Sequence, residues 1–253
     1  LSDTLDIDLD SVFCNDMNWS AVTNNPVISY SNTYFASYPF ITIKGSLFLS
    51  PLIQWNLFAV FDFNSNQLGN SINLAGLDLL NGNTVVGFQF KGAGSWQLLE
   101  DLIVYNISFY SGTFISNGKS INSSIYSPQT QFGDTTFLYL GNSRIYGDIR
   151  SQNPNLFFDA DSALFNVRSF IINSPASFDT VICQEVFDCK GTIINTLICH
   201  QMAGDSNLIH KAEFLTDTFC ISYPSYCNYI YGNGNFFDKV IIHSKDFDIS
   251  GNN

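Results

Sequence analysis

From about residue 38 onward the chain is a succession of short apolar runs, most of three to five residues, each closed by Gly, Asn, Asp or Ser. FITIKGSLFLS, NLFAVFDF, SINLAGLDLL, TVVGFQF, TTFLYLG and NLFFD set the rhythm, which continues through GTIINTLIC and KVIIHSKDF. Runs this short read as strands, because a helical stripe needs about 10 to 12 residues of 3.6-residue periodicity. Short strands at even spacing leave three architectures: a sandwich, a barrel or a solenoid. Two-residue hairpin loops such as Asn81-Gly82 and Asn117-Gly118 are few, so long antiparallel hairpins are not the building plan. Polar corners between short strands fit a parallel β-helix, in which each coil stacks on the next at ~4.8 Å and apolar residues point into one continuous core.

Composition bears on the same choice. The chain has 27 Asn and 29 Ser against 10 Ala, 3 Glu and 7 Lys, with 24 Phe and 12 Tyr, so helix formers are scarce and strand and turn formers abundant. Ten basic residues against 22 acidic ones give a net charge of −12, which argues against nucleic acid as a partner, since that requires a cationic surface to displace counterions. Charged residues make up only 13% of the chain, so its surface must rest on neutral polar groups, as secreted β proteins often do. No apolar run approaches the ~18 residues of a membrane helix. The opening LSDTLDIDLD lacks both the basic end and the apolar stretch of a signal peptide. The chain is read as a processed product or a segment of something longer.

The expected fold is therefore all-β: a right-handed, single-stranded parallel β-helix of roughly ten coils over residues 38–253, Cys-rich from 183, with residues 1–37 as an N-terminal cap or junction. A spacing near 21 residues supports the coil length, with Phe137, Phe158 and Ile221 opening similar steps. On that spacing Cys199 and Cys220 stack one strand apart, within disulfide reach. Cys220 and Cys227, flanking YPSY, are the rival pair, and Cys183 and Cys189 complete the cluster. Buried free thiols are the alternative to disulfides, and Cys14 should be unpaired.

One stretch tests the reading directly. GSWQLLEDLIVY, from Gly94 to Tyr105, has leucines at helical spacing, but Ser95 lacks the acidic residue three positions on that a capping box needs. It is read as a strand at Trp96–Leu98, a corner at Glu100–Asp101, and a second strand from Leu102 to Val104. Gly112 and Gly118 mark later corners.

Chemistry is sparse. His200, His210 and His243 have no metal-ligand spacing, and no nucleophile elbow, zinc-helix, phosphate-loop or dinucleotide-glycine pattern occurs. No catalytic residues are assigned. Two acid pairs, Asp159 with Asp161 and Asp246 with Asp248, have the i, i+2 spacing that places side chains on one strand face; Ca2+ is the ion such a pair would take. No other cofactor is indicated. Tyr105, Tyr110, Tyr126, Tyr139 and Tyr146 recur through the middle as either core or an exposed sugar-stacking ladder.

Between about residues 40 and 175 the order of phrases resembles a known family. ITIKGSLFLSP, GNSINLAGLDLLN, VVGFQFKGAGSWQLLEDL, ISFYSGTFISNGKS, TTFLYLGNSRIYG and NPNLFFDADSALF follow one another as in the solenoid segments of very large secreted surface proteins of Bacteroidetes. The resemblance implies a cell-surface adhesin, a cargo of type IX secretion and in some members a gliding-motility protein. Its implied partners are other segments of the same polypeptide, the secretion and anchoring machinery, and surface polysaccharide, with no membrane insertion. The family supplies no catalytic residues. Thr4, Ser11, Thr135, Ser162 and Thr180 each follow an Asp in a triplet that resembles the O-glycosylation sequon of that group. The expected function is extracellular, structural and adhesive, without catalysis; a polysaccharide lyase or hydrolase on the same fold is the second reading.

Overall fold

In the computed structural model the chain is all-β. The structure describes residues 4–7, 9, 11–30, 38–56, 58–80, 85–128, 134–214, 229–231, 234–243 and 248–250, and no helix occurs among them. Strands pair in parallel with strands one step further along the chain, forming a sheet nearly closed round an axis. One column of partners reads Val12, Ile41, Phe61, Phe88, Ile107, Ile125, Ile149, Phe170, Phe187, Met202, Ile230 and Ile249. A second wall carries Trp96, Phe114, Leu138 and Phe158 in register. A third carries Leu102, Ile121, Ile145, Phe165, Val181 and Leu197.

Alternation explains why these residues form these strands. Ile121–Ser127, INSSIYS, buries every second residue beginning at Ile121 and exposes the others, as the two-residue repeat of a strand dictates. The buried positions make one core along the axis. Phe63 stacks on Phe90 at 4.9 Å and 10°, and Phe90 on Phe109 at 5.1 Å and 16°, with Trp96 edge-on to Phe90 at 5.4 Å. Parallel register makes this possible, because like residues on successive strands lie one above another. Each fully buried Phe contributes about 1.5–3 kcal/mol by leaving water, and each ring pair about 0.5–1.5 kcal/mol more.

Steps along the first column range from 15 residues, Phe187 to Met202, to 29, Val12 to Ile41. The 21-residue spacing is therefore an average over unequal corners. Phe137 pairs with Phe157, while Phe158 lies one position on, beside Leu138. The ladders also run into the first thirty residues: Ser11–Cys14 pairs with Phe40–Ile43, Met17–Asn18 with Leu47–Phe48, and Thr4–Ile7 with Val27–Tyr30.

The stretch that looked half-helical is strand, corner, strand. Ser95–Leu98 and Leu102–Phe109 are β, with bends at Leu99 and Glu100 between them, and Trp96 and Leu98 are buried. Corners are held by side chains as well as backbone. Buried Asn207 accepts from the Thr192 amide at 3.0 Å and hydroxyl at 2.7 Å, and donates through Nδ2 to Asn235 Oδ1 at 3.0 Å and to the Cys189 carbonyl at 2.9 Å. One amide thereby ties together three successive levels of the stack.

Candidate functional site

Alternation that fills the core also decides which aromatic rings face out. In Thr136–Tyr139, TFLY, Thr136 and Leu138 are buried while Phe137 and Tyr139 are exposed. In the next strand, which begins at Leu156, Leu156 and Phe158 are buried while Phe157 and Asp159 are exposed. Register sets Phe137 beside Phe157 and Tyr139 beside Asp159. Phe137 and Tyr139 lie 6.5 Å apart and within 10° of parallel; Phe157 is 5.8 Å from Phe137 and 6.3 Å from Tyr139. Their exposures are 37%, 37% and 50%. Three neighbouring aromatic rings open to solvent are informative where a single exposed Leu is not.

Beside Phe137 lies a polar basin of about 380 Å³ bordered by Ser111, Gly112, Thr113, Asp134 and Thr135. Its shape depends on Gly112, which has φ +88°, and a Cβ there would come within 2.7 Å of the Gly92 carbonyl oxygen and 2.8 Å of the Gly94 one. Any larger residue would push the wall into the basin. Ser111 Oγ donates to the Gly92 carbonyl at 3.0 Å and so keeps its lone pairs for a ligand.

Two further surface features stand apart. Tyr38 stacks on Phe58 at 5.7 Å and borders a notch of about 210 Å³ with Gly87, Tyr105 and Asn106. Near the first strands, Ile7, Val12, Met17, Trp19 and Ile28 line an apolar cavity of about 520 Å³.

Of the acids singled out in the sequence, Asp159 borders the aromatic patch. The side chain of Asp161 and all of Asp246 lie outside the described residues; Asp248 is in the strand Asp248–Ser250, with its side chain outside them. Among the described residues no group of three or more His, Cys, Asp or Glu is placed to hold a metal ion.

The stacking of Cys199 on Cys220 is corrected by the ladder. Cys199 pairs with Cys183 on one side and Phe214 on the other, because the step there is 15 residues rather than 21. Cys183, Cys189 and Cys199 are buried free thiols, and Cys14 is a half-buried one. Burial pushes the Cys183 thiol up to about 12 and raises Cys189 and Cys199 well above the ordinary range, so none is a ready nucleophile. Cys220 and Cys227 lie outside the described residues.

The proposed modification sites Thr4, Ser11, Thr135 and Ser162 are exposed, while Thr180 is half-buried and donates to Asp179 at 3.1 Å. His210 Nδ1 lies 2.6 Å from Asp238, and His243 Nε2 lies 3.0 Å from Glu213. The five tyrosines do not form one ladder: Tyr139 joins the patch, Tyr105 the notch, and Tyr126 and Tyr146 pair in separate columns with Ser108 and Asn122.

No protein-family model matches the chain, and neither a curated protein nor a solved structure matches it significantly. Fold and surface alone define the class: a parallel β-solenoid whose outward faces carry clustered aromatic rings.

Proposed function

We propose that the chain is a structural and adhesive solenoid module displayed outside the cell, which holds a ligand without transforming it. The carrying observation is the patch of Phe137, Tyr139 and Phe157, fixed on paired strands and open to solvent. On this reading each rung of the column from Val12 to Ile249 is one right-handed coil, a dozen in place of the ten that the sequence spacing gives. Residues 1–37 hold the N-terminal end of that stack. The resemblance to Bacteroidetes surface proteins supplies the setting: a larger adhesin, exported by type IX secretion, with its other segments, its export and anchoring machinery and surface polysaccharide as partners.

The rival is a carbohydrate-active enzyme on the same fold. Incubating the chain with a panel of neutral and acidic polysaccharides, and measuring both retention on the insoluble polymers and release of new reducing ends or unsaturated products, separates the two. Retention without product is expected; turnover of any polymer overturns the proposal. An antibody against the chain should label intact source cells, and labelling only after lysis would remove it from the surface.

A further inference from the structure

Resting on the adhesive reading, and naming its ligand, we infer that the patch of Phe137, Tyr139, Phe157 and Asp159 binds an extended neutral glycan laid along the axis of the stack. Four observations converge on this chemistry. The first is the rings. A pyranose presents a face of C–H groups that packs on an aromatic ring while its hydroxyls point sideways, and half-exposed Phe and Tyr on a fixed sheet offer that surface at little entropic cost.

The second is spacing. Phe137 and Phe157 occupy successive rungs, and their centroids are 5.8 Å apart. Successive rungs lie ~4.8 Å apart, close to the length of one sugar residue in an extended glycan. A chain lying along the axis therefore meets one rung per residue.

The third is the placing of polar groups at the edge of the rings. Asp159 pairs beside Tyr139, and the basin next to Phe137 offers the hydroxyls of Ser111, Thr113 and Thr135 with the carboxylate of Asp134. Acceptors and hydroxyls flanking an apolar platform match a sugar's equatorial hydroxyls, and a few convergent polar groups beside apolar surface are what small-ligand sites share.

The fourth is charge. Asp134 and Asp159 flank the patch, and the chain carries −12 overall, so a polyuronate or sulfated glycan would be repelled on approach. A protein partner fits less well, since three half-exposed rings present far less than the roughly 800 Å² per partner of a stable protein interface.

Affinity electrophoresis in gels containing hydroxyethylcellulose, xylan, galactomannan or polygalacturonate tests the inference, with the double variant Tyr139→Ala/Phe157→Ala and the single variant Asp159→Asn run alongside. At least one neutral glycan should retard the natural chain. The double variant should lose at least tenfold in affinity and Asp159→Asn about threefold, with unfolding midpoints unchanged. Because the double variant also changes packing between its rings, hydrogen exchange on the natural chain gives an independent reading: the glycan should protect peptides covering 136–139 and 156–159. Retardation that survives in the double variant, or protection elsewhere, overturns the site while leaving the adhesive reading in place. Preference for polygalacturonate overturns the charge argument and with it the inference. Self-association that the double variant abolishes makes the patch a contact between copies. Absence of retardation in every gel sinks both this inference and the adhesive reading.

Discussion

At the scale of single residues, the corners are where the fold is most exposed to substitution. Asn207 has no exposed surface and uses both ends of its amide, accepting from Thr192 and donating to Asn235 and to the Cys189 carbonyl. Asn207→Leu keeps the volume and removes every bond, leaving the Thr192 amide and the Cys189 carbonyl unpaired in a dry corner. An orphaned buried group costs about 1–3 kcal/mol, so the variant should lose about 3 kcal/mol in a denaturant titration. A loss below about 1 kcal/mol would mean that water replaces the amide. Gly204 is a second such point. It has φ +103°, and a Cβ there would stand 1.9 Å from the Cys189 carbonyl oxygen. Gly204→Ala forces two coils apart, and should cost more than Asn207→Leu, because overlap with backbone cannot be relieved by a rotamer change. Equal stability of Gly204→Ala and the natural chain would contradict the close approach of those coils.

At the scale of elements, the strand Phe236–Ile242 is fastened to Leu208–Phe214 by side chains from both partners. His210 reaches Asp238, and Glu213 reaches His243 and Lys211. The hydrogen bond from His243, then that from Lys211, holds the Glu213 carboxyl below its ordinary 4.5. An acid with a depressed folded pKa contributes stability that is present above its unfolded value and lost as pH falls through the folded one. The attachment of Phe236–Ile242 should therefore weaken on acidification below about pH 4.5. Hydrogen exchange, corrected for its intrinsic pH dependence, should show opening of those amides increasing in that window, and Glu213→Gln should already be open above it. Matching pH profiles for the two proteins would show that the contact holds nothing.

The same scale shows what the sequence made legible. Strand positions follow from alternation in segments such as INSSIYS, where Ile and Ser have opposite tendencies. In TFLY and LFFD every residue but Thr136 and Asp159 is apolar, so hydropathy favours burying all the rings, and only the ladder shows Thr136 inside and Phe137 outside. The aromatic patch was invisible for that reason. GSWQLLEDLIVY was readable because its missing cap told against a helix, whatever the spacing of its leucines. Rung pairing was not readable, because corners of different length break any fixed period; Cys199 meets Phe214 instead of Cys220 for that reason alone.

For the molecule as a whole, stacking in one dimension means that each coil is stabilised by its two neighbours and by nothing further away. Stability should then be local, and the chain carries its own probes of that. All three tryptophans lie within the first 96 residues, whereas three buried thiols sit together at Cys183, Cys189 and Cys199. Trp fluorescence reports one part of the stack and thiol labelling the other. Phe170, fully buried and stacked on Phe187 at 5.7 Å and 5°, lies one rung from the Cys189 strand and several from Trp96. Truncating such a ring costs about 3–5 kcal/mol. In a background with Cys14, Cys220 and Cys227 replaced by Ser, Phe170→Ala should lower the denaturant midpoint for thiol labelling. The midpoint for Trp fluorescence should move by much less. A single cooperative unit would shift both transitions together by the same amount, and that result would mean that coupling along the axis extends over the full column from Val12 to Ile249.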